Sequence, residues 1–320
     1  MQAKSLILLS FFFSSLVSDP INAQVKPDTT SGTSGEESDL LSLLNKEYVT
    51  DKKEYTSAIF KTTRIANGHS IENTGKGVLD FRVSHRFGRI NQGIEDFFGL
   101  DNATTRIGFD YGLTNWLMIG IGRSTYLKEF DGFFKTRLFR QVDNDGMPIG
   151  LSYMGAISVQ ANTVPVPNEK EYFFSNRLAY INQLLIARKF NQMFSLQLMP
   201  THVHYNLVQL KDDPNDVIAI GLGGRIKLTN RVAFNGEYYY VVGDKIKGTR
   251  NSLTLGFDIE TGGHVFQLMF SNSTGITERN TIGMTDGNWA DGDIHFGFNI
   301  SRVFTIVKPK GLEDTRDKVW

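Results

Sequence analysis

The 320-residue chain contains no cysteine. That removes disulfides, thiolate nucleophiles and cysteine-held metals from consideration. Proline is scarce, 8 residues against 31 glycines, a balance that favours strands and tight turns over helices. Neither charge is in excess, with 34 Lys plus Arg against 34 Asp plus Glu. No net field draws nucleic acid and no basic stretch interleaved with aromatics offers a local site, so a nucleic-acid partner is not expected. Beyond Ala23 no apolar run reaches the roughly 18 residues that a membrane-crossing helix needs.

What is present starts with an export signal. Lys4 precedes the apolar run SLILLSFFFSSLV, then SDPINA. The run is too short and wrongly flanked for a transmembrane helix and reads as a signal peptide over residues 1–23, cleaved after Ala23. Without a following cysteine there is no lipid anchor. Residues 24–37, QVKPDTTSGTSGEE, are polar and of low complexity, which predicts disorder. Ser38 caps a short helix that puts Leu40, Leu41, Leu44 and Tyr48 on one face. Local packing, a partner and a membrane surface are all open to that face. The expected organisation is residues 1–23 signal peptide, 24–54 periplasmic extension with a short helix outside the barrel, 55–306 β-barrel domain and 307–320 C-terminal tail.

From residue 77 the dominant pattern is period two. In GVLDFRVSHRF, residues Leu79, Phe81, Val83, His85 and Phe87 share one face and Asp80, Arg82, Ser84 and Arg86 the other. The stretch GFDYGLTNWLMIGIG holds two alternating runs around Leu113-Thr114-Asn115, and the same three residue types recur at Leu228-Thr229-Asn230. Further alternating segments fall near 132–141, 149–160, 174–190, 194–207, 217–228, 231–242, 250–260, 264–273 and 293–304. About twelve strands result, each near the roughly 9–11 residues that cross a bilayer at a tilt. Residues 55–65 are excluded from the barrel, because an even count returns both termini to one side. Short turns at Thr114-Asn115, Asn191-Gln192, Thr229-Asn230 and Thr261-Gly263 alternate with long segments at 89–103, 161–173 and 275–292. That is the pattern of outer-membrane barrels.

Alternation alone fits a soluble sandwich as well, with the apolar face turned inward. The export signal, the strand lengths and the aromatics near strand ends (Phe87, Tyr111, Trp116, Tyr153, Phe304) select the membrane. In lipid every backbone group must be paired, so the sheet closes, with Leu253, Leu255, Phe257 and Ile259 facing lipid. The fold class predicted is all-β: a closed antiparallel transmembrane β-barrel in contact with outer-membrane lipid.

The segments NGHSIENTGKGVLDFRVSHRFGRIN, FFGLDNATTRIGFDYGLT, IGIGRS, FDGFFKTRLFRQ and QLLIARKFN resemble the β-barrel family known as domain of unknown function 5777, over about residues 57–304. The resemblance implies an outer-membrane barrel of a Bacteroidetes-type Gram-negative bacterium. It carries over no activity, substrate or catalytic residue. Family members are often encoded near periplasmic c-type cytochromes and lipocalin-like lipid-binding proteins, which implies a redox or lipid-handling setting.

The inward face of the predicted strands carries Asp80, Arg82, Arg86, Arg106, Asp110, Lys135, Arg137, Arg225, Lys227, Glu237, Asp258, Glu260, Asp293 and His295. Strand direction puts Arg86, Arg106, Lys135 and Asp293 toward the long-loop side and Asp80, Asp110, Lys227, Asp258 and Glu260 toward the short turns. Two arrangements fit. Either the charges pair and fill a narrow interior, or a narrow aqueous path has an outer half that attracts small anions. Closure places Arg86 within reach of Asp293. His202 and His204 face lipid in the simple register, whereas a bulge at Pro200 turns them inward. The bulged register is the expected one. Two histidines fall short of a metal site even with His295, and no metal or cofactor is expected. Asp286, Asp291 and Asp293 could ligate calcium, though a glycine-rich surface loop explains GNWADGDIH. Ser84 and His85 point to opposite faces and form no nucleophile–base pair. The function expected is a non-enzymatic channel or transporter for a small solute. The alternative is a plugged barrel anchoring a periplasmic partner.

Overall fold

The computed structural model describes residues 54–143, 146–162 and 173–308. The signal peptide, the helix expected within 38–54 and nearly all of the tail lie outside the described residues. Twelve antiparallel strands form one closed barrel: β1 (Val78–Arg89), β2 (Ala103–Gly112), β3 (Leu117–Ser124), β4 (Glu129–Phe139), β5 (Gly150–Gln160), β6 (Leu178–Lys189), β7 (Phe194–Tyr205), β8 (Asp216–Lys227), β9 (Val232–Val242), β10 (Ser252–Glu260), β11 (His264–Ser271) and β12 (His295–Thr305). Each strand pairs with its neighbours in sequence. β1 closes on β12, with Val78 opposite Thr305 and Arg86 opposite Gly297. No edge remains, as a hydrocarbon surround requires.

The repeated Leu-Thr-Asn is turn chemistry. Thr114 Oγ1 accepts from the amides of Trp116 (3.2 Å) and Leu117 (2.9 Å). Thr229 Oγ1 does the same for Arg231 (3.2 Å) and Val232 (3.0 Å). Between β6 and β7 the Asn191 carbonyl replaces the hydroxyl and takes Met193 and Phe194, both at 2.8 Å. A short side chain that bonds its own backbone two and three residues on makes an abrupt reversal without a long loop. These turns gather at one end of the barrel. Two links depart from the expected alternation: 125–128, at the long-loop end, is short, and 140–149, at the short-turn end, is long.

The wall separates its two faces as lipid demands. Ser252, Thr254 and Asp258 are buried inside, while Phe257 is 45% exposed on the outer face. Ile121, Ile218 and Leu222 are likewise exposed. The buried core lies in the lumen.

Two segments fill that lumen. Residues 54–77 enter from the short-turn end, where Thr56 N donates to Gln141 O (3.0 Å) and Gly77 N to Gly112 O (2.8 Å). They fold into a plug hairpin with an antiparallel bridge between Arg64 and His69, and Ile59, Phe60, Ile65 and Ile71 are buried. So residues 55–65 belong to no barrel strand and stop the lumen. At the hairpin tip only a glycine fits, since a Cβ on Gly68 would lie 2.0 Å from the Tyr239 hydroxyl. From the other end the β11–β12 connection folds inward and carries a short helix, α1 (Glu278–Gly283), whose six residues are all buried.

Candidate functional site

The plug hairpin is held by bonds to inward side chains from most of the wall. Glu237 on β9 accepts the Asn67 and Gly68 amides at 2.8 and 3.1 Å. Asn299 on β12 donates to Ala66 O (2.8 Å) and Gln267 on β11 to Ile65 O (2.9 Å). Gln197 on β7 accepts from Ile71 N and donates to His69 O, both at 2.7 Å. Lys135 on β4 donates to the carbonyls of Ser70 (2.9 Å) and Glu72 (2.5 Å). Thr63 joins Asp80, Arg82 and Asp110. Asn67 Oδ1 takes Arg86 Nη2 at 2.7 Å. Polar side chains deep in a wall need such partners, because a buried orphan costs about 1–3 kcal/mol.

The outer closure is held differently. Glu129 on β4 accepts from Ser158 (2.5 Å), Thr277 (2.9 Å) and Asn280. Arg279 donates to Ser158 and Gln160 on β5. The two closures meet at Glu278, whose Oε1 lies 3.2 Å from both Arg64 Nη1 and the His69 amide. Arg106 pairs with Asp131 at 2.5 Å nearby. A space of about 10 Å³ lies among Arg64, His69, Glu129, Asp131 and Glu278, too little for more than one water. At the short-turn end a cavity of about 440 Å³ opens beside Lys61, Glu72, Asp80 and Glu260. Another, of about 430 Å³, opens at the long-loop end beside Tyr205, Ile246 and Arg279.

Most residues assigned to the lumen face it. Asp80, Arg82, Arg86, Arg106, Asp110, Lys135, Arg225, Glu237, Asp258 and His295 are buried. Arg137, Lys227 and Glu260 are partly exposed near the short turns, and Glu260 is capped by Lys61 of the plug. Four expectations are corrected. Asp293 is not a lumen residue: it precedes β12 on the rim and pairs with Arg89 at 3.1 Å, not with Arg86. Arg86 instead bonds Asn67 and Asn299. Lys135 lies toward the short turns, opposite Met118, because β4 starts at Glu129 and not at residue 132. The outer half is not a basic path, because Glu129, Asp131 and Glu278 offset its cations there.

The fourth correction concerns Pro200. The β7–β8 register runs unbroken through it, with no bulge. The proline has no amide to give and pairing lapses locally with β6, but the side chains keep their faces. His202 and His204 therefore point outward, and their Nε2 and Nδ1 share Asp216 Oδ1, each at 2.8 Å. His295 sits at the long-loop end with Nδ1 donating to Phe87 O (2.7 Å) and Nε2 beside Thr274 Oγ1 (3.1 Å). Asp286 and Asp293 both pair with Arg89, and Asp291 accepts from Asn288.

Sequence reading missed Glu129, Asp131, Arg64, Glu278 and Arg279. Extending the β4 alternation upstream through Glu129-Phe130-Asp131 would have found the first two. The other three lie in segments without strand periodicity, so no local pattern marks them.

Solved outer-membrane barrels align with the chain at low identity. The NanC porin aligns with TM-score 0.44 and 9% identity over 70% of this chain and 98% of its own. The KdgM porin aligns with 0.40 and 7% over 71% and 98%. The COG4313 outer membrane channel from Pseudomonas putida F1 aligns with 0.43 and 11% over 73% and 97%. No curated protein matches the chain. The family model for a membrane-bound β-barrel domain, DUF5777, matches residues 60–304, and the chain belongs to that family.

Proposed function

We propose that the protein is a gated outer-membrane channel or transporter for a small solute, without enzymatic activity, caught here in its closed form. The observation that carries the reading is the chemistry of the interior. Cavities of about 440 and 430 Å³ at opposite ends are separated by plug backbone bonded to charged and amide side chains, beside the apolar core that shares the lumen. Water can take over bonds of that kind when either closure moves. Delivery to the membrane by cleavage near Ala23 belongs to the same proposal, and the mass of the mature chain tests it.

Planar-bilayer recording tests the main claim. The intact protein should pass rare, brief currents, and a barrel lacking residues 55–75 should conduct steadily. A correctly folded, plug-deleted barrel that passes neither ions nor solute would discard the channel. The sealed lumen would then favour a structural barrel that anchors a periplasmic partner.

A further inference from the structure

Described residues of the connections β3–β4, β7–β8, β9–β10 and β11–β12, with Asn176 ahead of β6, line the 430 Å³ hollow at the long-loop end, and α1 forms its floor. Val208, Ile246 and Met284 reach its wall from three different connections, each packed on the buried core. Leu127 and the ring of Tyr205 extend that apolar lining. The volume falls within the roughly 300–1,000 Å³ of small-molecule sites, and this apolar strip shares the lining with polar and charged residues, among them Gln160, Asp213, Lys247, Arg279 and Asp286.

The polar group at the floor is Arg279, only 4% exposed. Its Nη1 and Nη2 reach neutral oxygens, Ser158 Oγ at 3.3 Å and Gln160 Oε1 at 3.1 Å. Its Nε has no partner. A guanidinium carries five N–H donors, so a buried cation keeps unused donors at the base of the hollow, beneath its apolar strip. The neighbouring carboxylate Glu129 is already occupied by Ser158, Thr277 and Asn280. Lys247 lines the rim as a second cation. Two acids also line the hollow, and both are engaged. Asp213 Oδ1 takes the Lys247 amide at 2.9 Å, and Asp286 Oδ2 takes Arg89 at 2.7 Å.

We infer that this hollow is a capture site for a small amphipathic monocarboxylate, its carboxylate on Arg279 and its apolar body against Val208, Ile246 and Met284. A planar carboxylate matches the guanidinium fork. Asp213 and Asp286 oppose a dianion, which selects a single negative charge. The inference names the substrate class of the proposed channel and rests on that reading for its place in transport, but binding is measured independently of flux.

Calorimetry on the full chain in detergent micelles tests it, with 4-phenylbutyrate as probe and 4-phenylbutan-1-ol as its uncharged counterpart. The acid should bind saturably and more tightly than the alcohol. Arg279→Gln should weaken the acid about tenfold or more and leave the alcohol near its original affinity, because one charge-assisted bond is lost. Val208→Trp, on an exterior connection, fills the hollow without touching the buried network and should abolish both. Absence of saturable binding, equal affinity for acid and alcohol, or a Val208→Trp protein that binds like wild type would each overturn the inference. Binding without flux would sink the channel and leave this site standing. Flux without binding would do the reverse.

Discussion

The two closures of the barrel are built on opposite terms. The plug hairpin comes from the short-turn end and is bonded to inward side chains of β1, β2, β4, β7, β9, β11 and β12. Thr277, Arg279 and Asn280, at and beside the start of α1 in the outer lobe, are bonded to β4, β5 and β7 through Glu129, Ser158, Gln160 and Tyr205, with a 430 Å³ hollow beside them. The difference teaches where movement is cheap. Displacing the hairpin breaks many buried polar bonds at once, whereas the outer lobe has free volume to move into. Glu278 is the coupling point, because it touches Arg64 and His69 of the hairpin from within the outer lobe.

Removing residues 55–75 should have the largest effect, raising mean bilayer current more than about tenfold as water enters the charged lumen. Persistent silence of the folded barrel would discard the channel, and the contrast between the two closures would lose its meaning for gating. Next comes Glu278→Ala, which strands Arg64. Loss of one partner of a buried pair costs about 3–5 kcal/mol. A denaturant midpoint in detergent should fall accordingly, with more frequent openings. Unchanged gating would mean that the two closures act independently. Glu237→Ala orphans the Asn67 and Gly68 amides at about 1–3 kcal/mol each. Protease sensitivity of the hairpin should rise while the outer loops stay protected.

The smallest effect is expected at the rim. Hydrogen bonds from Asn91 and from the Asn288 amide, with Arg89 beside them, hold the Asp293 carboxyl below its usual range. A depressed folded value means that the rim contacts are complete above the ordinary carboxylate range. They should fail only as pH falls through the lower folded value. Limited proteolysis of the outer loops should therefore look alike at pH 7 and pH 4.5, and Asp293→Asn should abolish any further change on acidification. A transition already complete at pH 4.5 would remove the rim from the comparison.

Much of the wall is legible in the residues alone. Alternation such as Ser252–Glu260 sets which side chains share a face, and the hydroxyl of Thr114 or Thr229 sets where the chain reverses. Both signals are local, so each strand and short turn could be read separately. Pro200 misled, because a missing amide weakens a ladder without always shifting it. β4 begins three residues before the alternation expected from residue 132, which shifts Lys135 toward the short turns and brings Glu129 and Asp131 into the wall.

The sequence alone determined the wall: period two needs only neighbouring residues, and a greasy outer face requires closure once lipid is the solvent. Tertiary structure alone decided what stands inside it. Asn67 meets Glu237 and Thr254 across long stretches of chain, Asn299 reaches Ala66, and Arg64 finds Glu278 from the opposite end of the barrel. Such partners depend on how the closed cylinder brings distant segments together, and no repeat in the residues themselves records it.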